Sequence, residues 1–239
     1  MRILSHLATQ RGPVAAATLA TALDLPRSTV YHLLGVLQKR GFVVHLPEAR
    51  RYGLGVAAFE LSGGFARQQP LSRLGHPLLA ELVDQVGESA HLAVMHGRDV
   101  LYIVEERAPH RPHLVTDVGV RLPAHLTASG RAMLAALPKG QVRALFPDAS
   151  AFVDRTGSGP TRYRELRTLL DAVSTEGYAT EDGEITPGLA SVAVAVSDHV
   201  GWPAASVAVT FPSDTHSERT TLVAAVSAAA AELSRRIGG

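Results

Sequence analysis

Four polar side chains at the start of one predicted helix have the residue types and the spacing needed to read DNA bases. Pro26 suits the first turn of that helix, where its missing N–H costs nothing. Guanidinium, hydroxyl and imidazole groups can all form hydrogen bonds with base edges in the major groove. The side chains predicted to face outward from the first turns are Arg27, Ser28, Thr29 and His32.

The rest of this segment has the pattern of a recognition helix. Gly41 is predicted to end it directly after Lys39 and Arg40, whose positive charges suit a helix C-terminus. Its buried stripe is predicted to consist of Val30, Leu33, Leu34 and Leu37. Alone, this pattern is also typical of a solvated helix in any small bundle, so the flanking segments must decide.

The flanking segments complete a winged helix-turn-helix. Short helices are predicted over Arg2–Thr9 and Ala15–Leu23, and residues 24–25 form the tight turn before the recognition helix. A hairpin follows that helix, with strands at Phe42–Leu46 and Tyr52–Leu54. Three helices followed by a hairpin are the order of elements expected for a DNA-binding head of this kind.

Charge supports a nucleic-acid partner for this part of the chain only. The whole chain has 23 basic and 22 acidic residues, but residues 1–55 contain seven basic and two acidic ones, which leaves sixteen and twenty for the remainder. Lys39 and the hairpin-tip residues Arg50 and Arg51 suit contacts with phosphates. Because this modest excess of positive charge gives only weak non-specific affinity, we expect two or more heads on a palindromic or repeated double-stranded DNA site.

The composition limits what else the protein can be. Its 239 residues suffice for one large or two ordinary domains, and 46% hydrophobic residues suffice for a sizeable core. There is no cysteine, which excludes disulfides and thiolate metal sites, and no apolar run reaches the roughly 18 residues that a membrane helix needs. We therefore expect a cytoplasmic protein without a membrane partner.

Three parts are predicted along the chain: a DNA-binding head at 1–54, a linker helix at 55–69 and a larger domain at 70–239. Val56 and Phe59 share one face of the linker helix, and apolar residues cover much of its circumference. Such a helix needs a partner, and a second copy of the chain is the simplest one. Packing on its own domain is the alternative.

The larger domain alternates helical and strand-like segments, which predicts an α+β domain with an antiparallel sheet. Helices are predicted at Leu71–Val86, Gly130–Leu137, Tyr163–Glu176 and Ser217–Ile237. Strands are predicted at Ser89–His96, Val100–Glu105, Leu114–Val118, Ser191–Ser197 and Ala204–Phe211.

Six motifs in order give the chain a resemblance to the IclR family of bacterial transcriptional regulators. They are Leu25-Pro-Arg-Ser-Thr-Val-Tyr31, Arg51-Tyr-Gly-Leu-Gly55, Gly87-Glu-Ser-Ala-His-Leu92, Val118-Gly-Val-Arg-Leu-Pro-Ala-His-Leu-Thr-Ala-Ser-Gly-Arg-Ala132, Gly177-Tyr-Ala179 and Pro187-Gly-Leu-Ala-Ser-Val-Ala193. Each motif is weak alone, but their order along nearly the whole chain is specific. The resemblance implies a winged helix-turn-helix, a linker helix and a ligand-sensing domain of the GAF/profilin-like kind, in homodimers that commonly pair into homotetramers.

The resemblance also implies where a small-molecule effector would bind, and a small organic acid, such as a carboxylate, is expected there. The implied positions are Leu114, Leu122, Ala128, Ser129, Glu181, Leu189, Ser191, Ala208 and Thr210. Three of these depart from the family pattern. Glu181 stands where an aspartate is usual, Ser191 replaces a frequent cysteine, and Ala208 lacks the usual polar group.

Physical reasoning adds the helix start at Ala128–Gly130, because the unpaired amides of a first helical turn can bind a carboxylate. An ordinary N-cap at Thr127 or Ser129 explains the same residues equally well. Arg111 and Arg121 can pair with a bound anion, or can be solvated surface charges.

No catalytic or metal site is predicted, and no cofactor. His110 and His113 are spaced like metal ligands, but the residues between them favour a loop. Ser129 follows His125 by about one helical turn, yet the sequence has neither a Gly-x-Ser-x-Gly elbow nor a phosphate-binding Gly-Lys-Ser/Thr loop.

These observations predict a sequence-specific DNA-binding regulator, expected to be a repressor, whose larger domain senses a small metabolite. Two alternatives stay open. One is an enzyme that the head recruits to DNA, and the other is an architectural DNA-binding protein that binds no ligand.

Overall fold

The chain folds into two units, Met1–Gln68 and Gln69–Gly239, each with its own hydrophobic core. The computed structural model describes residues 1–10, 12–61, 70–109, 111, 114–214 and 219–238. Most of the predicted linker, residues 62–69, therefore lies outside the described residues.

The first unit is a winged helix-turn-helix. Its helices and strands are α1 (Arg2–Ala8), α2 (Ala16–Leu23), α3 (Arg27–Lys39), β1 (Val43–Leu46) and β2 (Arg51–Leu54). Asp24 adopts the left-handed conformation (φ 50°) that turns the chain from α2 into α3, and Gly41 does the same after α3 (φ 72°). β1 and β2 pair in antiparallel fashion, and residues 56–61 are again helical.

The core of this unit is narrower than the sequence predicts. Val30 and Leu34 of α3 are fully buried, but Leu33 is 39% exposed, so the prediction that it belongs to the buried stripe is wrong. Residues four apart on a helix share a face, whereas Leu33 is turned about 100° from Leu34. Three short helices and a hairpin cover only that narrow face. The core residues are Ile3, Leu7, Ala16, Leu19, Ala20, Leu23, Val30, Leu34 and Val43.

The second unit is a six-stranded antiparallel sheet with helices on both faces. Its strands are β3 (Ser89–His96), β4 (Asp99–Glu106), β5 (Arg121–Pro123), β6 (Ala179–Asp182), β7 (Leu189–Ser197) and β8 (Pro203–Pro212). They lie in the order β5-β4-β3-β8-β7-β6. Its helices are α4 (Pro70–Val86), α5 (Ala128–Ala136), α6 (Lys139–Leu145), α7 (Tyr163–Glu176) and α8 (Arg219–Arg236), with a short 3-10 turn at Ala149–Ala151.

Two separate apolar layers hold this sheet. On one face, α4 and α8 pack on residues such as Leu92, Val207 and Phe211. On the other face, Tyr102 and Leu122 of the sheet pack with residues of α5, α6 and α7. Both faces are buried, so the central strands carry long apolar runs rather than strict alternation.

The structure corrects the predicted strand Leu114–Val118. These residues are irregular, and the edge strand beside β4 is instead Arg121–Pro123. The alternation that suggests a strand has another cause: Thr116 is buried while Val115 and Val118 are 44% and 53% exposed. None of the described helices is long and apolar enough to cross a membrane.

Candidate functional site

The outward face of α3 presents the side chains that the sequence assigns to base reading. Arg27, Ser28, Thr29 and His32 are all exposed. Tyr31 is also 57% exposed beside them, and sequence reasoning did not single it out. Its place between two buried positions, Val30 and Leu34, hid it within an apparently apolar segment.

Two of the three basic residues predicted to contact phosphates lie on the hairpin, and the third lies on α3. Arg50, at the tip, is exposed and held at a positive φ of 50°. Arg51 is exposed too, but its Nη1 donates to the carbonyl oxygen of Pro13 at 3.2 Å, which ties the hairpin to the segment before α2. Lys39 lies at the other end of α3 and is exposed.

The register of the sheet in the second unit aligns polar side chains across four strands. Ser89 pairs with Thr210, Thr210 with Ser191, and Ser191 with Glu181. Ser191 Oγ donates to Glu181 Oε1 at 2.8 Å and lies 3.0 Å from Thr210 Oγ1. We call Glu181, Ser191 and Thr210 the polar row.

The next row along the sheet contains three alanines, which let a helix approach closely. His91 pairs with Ala208, Ala208 with Ala193, and Ala193 with Ala179. Ala128 and Ala132 of α5 pack on these alanines. The alanine at 208, a departure from the family pattern, thus contributes to the seat of α5.

The N-terminus of α5 lies at a cavity whose opposite wall is the polar row. The cavity has about 400 Å³ of empty space including its mouth, of which about 20 Å³ admits the centre of a water molecule. A ligand of few non-hydrogen atoms therefore fits with the least rearrangement. Its lining residues are His91, Tyr102, Leu114, Val115, Thr116, Thr127, Ala128, Ser129, Glu181, Ile185, Thr186, Leu189, Ser191, Ala208 and Thr210.

The start of α5 has both features that the sequence suggests, an N-cap and unpaired amides. Thr127 is the N-cap, and its Oγ1 accepts from the Gly130 amide at 3.0 Å. The carbonyl of Thr127 accepts the amide of Arg131. Within the described part of the chain, the amides of Ala128 and Ser129 donate to no acceptor, and both residues line the cavity.

Burial sets the protonation of the cavity's ionisable groups. Desolvation raises the pKa of Glu181 to about 7, and the charge of Glu184 adds to the rise, while the Ser191 hydrogen bond, Arg131 and the backbone amide of Ile185 oppose it. Desolvation and then the charge of Arg107 lower the pKa of His91 to about 3. Burial also raises the pKa of Tyr102 above its usual range. His91 and Tyr102 are therefore neutral at physiological pH, and Glu181 titrates near it.

Two buried polar atoms of the cavity walls lack partners among the described residues. They are Oε2 of Glu181 and Nε2 of His91. The other ring nitrogen of His91 lies 3.4 Å from Thr116 Oγ1, and the ring meets Tyr102 edge-on. Because buried polar groups are normally hydrogen-bonded, these two atoms are suited to a bound molecule.

Arg131 holds together the chain segments that surround the cavity. Its side chain is almost fully buried and donates to the carbonyls of His125 (2.9 Å) and Thr180 (2.8 Å) and to Glu184 Oε1 (2.7 Å). These bonds join α5 to β6 and to the loop after it, which supplies Ile185 to the lining. Arg131 is therefore a positioning residue, and no sequence pattern identified it.

The structure brings most of the implied effector positions together. Eight of them line the cavity: Leu114, Ala128, Ser129, Glu181, Leu189, Ser191, Ala208 and Thr210. Leu122 does not, because it is buried in the core under α5. Gly130 does not either, since it faces the backbone of Ala124. His91, Tyr102 and Thr116 were missed because only tertiary contacts bring them to the cavity.

The remaining candidates lie elsewhere. Arg111 pairs with Glu88 and donates to the Gly87 carbonyl, while Arg121 is exposed on β5.

His125 Nε2 donates to the Val153 carbonyl at 3.0 Å and is not part of the cavity lining that contains Ser129. His110 and His113 lie outside the described residues. Across the described residues, no group of three or more His, Asp or Glu side chains could hold a metal ion.

Family comparisons account for both units. The family model for the C-terminal domain of bacterial IclR transcriptional regulators matches residues 64–235. The family model for the IclR helix-turn-helix domain matches residues 1–47. The chain belongs to the IclR family. It is a transcriptional regulator with an N-terminal helix-turn-helix and a C-terminal IclR domain, which confirms the resemblance and the predicted fold class.

Relatives of this IclR-family protein are similar over most of their length. It is 31% identical to the glycerol operon regulatory protein of Streptomyces coelicolor over 92% of this chain and 87% of that protein. It is 29% identical to the transcriptional repressor IclR of Escherichia coli over 89% of this chain and 78% of that protein. The fold matches an IclR homologue of Microbacterium hydrocarbonoxydans complexed with 4-hydroxybenzoate, with a TM-score of 0.82, 23% identity and coverage of 99% and 96%.

One stability prediction arises from the cap of α5. Replacing Thr127 with alanine removes the acceptor of the Gly130 amide, so we expect the unit to lose about 1 kcal/mol. That corresponds to a fall of about 2–4 °C in the melting temperature, measured by calorimetry. Thr127→Ser keeps the hydroxyl and should melt within about a third of that shift from the parent. Equal losses for the two variants would contradict the capping role.

Proposed function

We propose that this IclR-family regulator represses transcription from a palindromic or repeated DNA site, and that a small carboxylate bound in the cavity of its second unit modulates DNA binding. The proposal depends mainly on the cavity. It combines two free amides at a helix N-terminus with a row of hydroxyls and a buried carboxyl group. The 4-hydroxybenzoate complex of a protein with the same fold supports a small carboxylate as the class of ligand.

In this proposal the head divides its contacts between bases and phosphates. Arg27, Ser28, Thr29 and His32 would reach base edges, because they lie exposed on the first turns of α3. Exposed basic residues would contact phosphates on either side: Lys39, Arg50 and Arg51.

A homodimer or homotetramer would supply the several heads that the DNA site requires. Residues 56–61, which begin the predicted linker, expose Val56 (67%), Phe59 (79%) and Leu61 (62%) within the first unit. Exposed apolar side chains on one short helix favour association with a second copy. Ligand binding would then act by changing the spacing of two heads.

We also propose that the protein is not an enzyme and acts in the cytoplasm, where its DNA is. His125 does not lie in the cavity with Ser129, and His91, which does, has its pKa lowered to about 3 by burial and is therefore a weak general base. The two alternatives from the sequence become outcomes of experiment. Turnover that Ser129→Ala abolishes would favour an enzyme, and indifference to every small molecule would favour an architectural protein.

The test starts from DNA fragments that the purified protein selects from a random pool. Fluorescence anisotropy then measures affinity for a selected fragment with and without acetate, glycolate, lactate or 4-hydroxybenzoate. We expect tight, salt-dependent binding that at least one acid changes, with native mass spectrometry showing two or more chains per fragment. Sequence-independent binding, or binding that no small molecule alters, would contradict the proposal.

A further inference from the structure

The charge balance of the cavity raises a problem for an anionic ligand. None of the described lining residues is a lysine or arginine, and the one ionisable group near its titration point is the carboxyl of Glu181. If Glu181 is ionised, a carboxylate ligand meets a second negative charge inside a desolvated site. Two negative charges in the same small cavity repel each other strongly when water is excluded.

The geometry of Glu181 offers a solution. Its Oε1 accepts from Ser191, whereas its Oε2 is buried and makes no hydrogen bond with a described residue, and Glu181 as a whole lines the cavity. The residue is only 5% exposed. A proton on Oε2 would remove the negative charge and would turn this atom from an acceptor into a donor directed at the ligand.

The other cavity groups also favour an acceptor-rich ligand. The amides of Ala128 and Ser129 can only donate. The hydroxyl of Ser129 forms a hydrogen bond with Tyr102, and that of Thr210 donates to Ser191, because Ser191 donates its own proton to Glu181. A carboxylate supplies two acceptor oxygens with about four lone-pair directions. The helix N-terminus adds a favourable electrostatic term for its negative charge.

We propose that this cavity takes up its carboxylate ligand together with one proton, which resides on Glu181 Oε2 and is donated in a hydrogen bond to the ligand. The inference rests on the proposed function and deepens it, because it makes the regulator's response depend on pH as well as on ligand concentration. In this arrangement the protonated glutamate supplies the hydrogen-bond donor that a lysine or arginine can supply in other carboxylate sites.

The surroundings of Glu181 leave it as the group that titrates. Arg131 on α5 and Glu184 after β6 are paired at 2.7 Å, so their charges largely offset each other. Tyr102 on β4 and His91 on β3 stay neutral around pH 7, because burial raises the pKa of the first and lowers that of the second. Asp182, the next residue on β6, is exposed to solvent.

The sign of the pH dependence follows directly. Burial raises the pKa of Glu181 to about 7, so its protonated, binding-competent fraction falls from about nine-tenths at pH 6 to about one-tenth at pH 8. Apparent affinity scales with that fraction, so binding should be about tenfold weaker at pH 8 than at pH 6. Binding at pH 8 should then take up about one proton per site.

Calorimetry on the full chain tests this with acid and amide pairs: acetate and acetamide, lactate and lactamide, 4-hydroxybenzoate and 4-hydroxybenzamide. Titrations in phosphate and Tris, whose ionisation enthalpies differ, report the number of protons taken up. We expect at least one acid to bind with the tenfold pH dependence and with proton uptake at pH 8, and its amide to lack both.

Two variants separate Glu181 from the rest of the protein. Glu181→Gln is permanently neutral and keeps a donor, so it should bind the same acid equally at pH 6 and pH 8, and about tenfold more tightly than the parent at pH 8. Glu105→Gln alters another buried carboxyl, outside the cavity lining, and should keep the parental pH dependence.

Several results would overturn the proposal. They are acid binding with no proton uptake, an unchanged pH dependence in Glu181→Gln, amides or amines that bind more tightly as pH rises, or no acid binding at pH 6. The parental proton uptake decides the matter even if the variants fail to fold. Acid binding without proton linkage leaves the proposed function intact, whereas acid binding that leaves DNA affinity unchanged defeats the proposed function alone.

Discussion

Replacing Arg27 with alanine should lower affinity for a selected DNA fragment by about 5- to 150-fold for each head that contacts it. The range corresponds to the roughly 1–3 kcal/mol that a bidentate arginine contact contributes to base discrimination. Arg27 is the first residue of α3 and is fully available at its outward face. Affinity for scrambled DNA should fall much less, because a base contact adds little to binding without sequence preference.

Arg50→Ala is the matched control for this variant. Arg50 is exposed at the hairpin tip and is expected to contact phosphate, so its loss should weaken binding to selected and scrambled DNA alike. It should also reduce the slope of log affinity against log salt by about 1. Anisotropy titrations at several salt concentrations measure both effects. Equal losses of the two variants on scrambled DNA would contradict the roles assigned to them.

Replacing Gly130 with alanine should destabilise the second unit by about 2–3 kcal/mol or more. A Cβ at this position would lie 2.2 Å from the carbonyl oxygen and 2.3 Å from the Cα of Ala124. Both are backbone atoms, so α5 must move away from the segment that precedes it. That movement would also displace the amides of Ala128 and Ser129 at the cavity, and ligand affinity should fall with stability.

Calorimetric melting measures the effect, which should be about 5–10 °C for a unit of this size. The control is Gly140→Ala on α6, where an added Cβ meets nothing within 4 Å. Alanine favours a helix over glycine by up to about 1 kcal/mol, so this variant should melt at or slightly above the parent. A melting temperature of Gly130→Ala close to the parent would show that the approach of α5 to Ala124 is not tight.

The head could be predicted from the sequence because its signals are local. The spacing of Val30 and Leu34, the left-handed turn after α2 and the exposed polar first turn of α3 depend on neighbouring residues only. Leu33 shows the limit of this reasoning. Periodicity places a residue near an apolar stripe, but the width of the covering surface decides whether it is buried.

The sheet was less predictable, and for a physical reason. β6, an Ala-Thr-Glu-Asp segment, has little strand propensity and exists because β7 offers it hydrogen bonds. The false strand at Leu114–Val118 shows the converse. Its alternating residues suit a strand, yet they pass over the cavity with Thr116 turned inward.

The sequence by itself predicted a basic head, a linker and a larger domain, the exposed polar face at the start of α3, the IclR family and eight of the residues that line the candidate cavity. Those properties are carried by local pattern, by charge composition and by ordered motifs. Only the tertiary structure decided how Glu181, Ser191 and Thr210 line up, because strand register joins residues that are distant in the chain. Burial then set the protonation of Glu181 and left its Oε2 without a partner, since desolvation depends on everything that surrounds an atom.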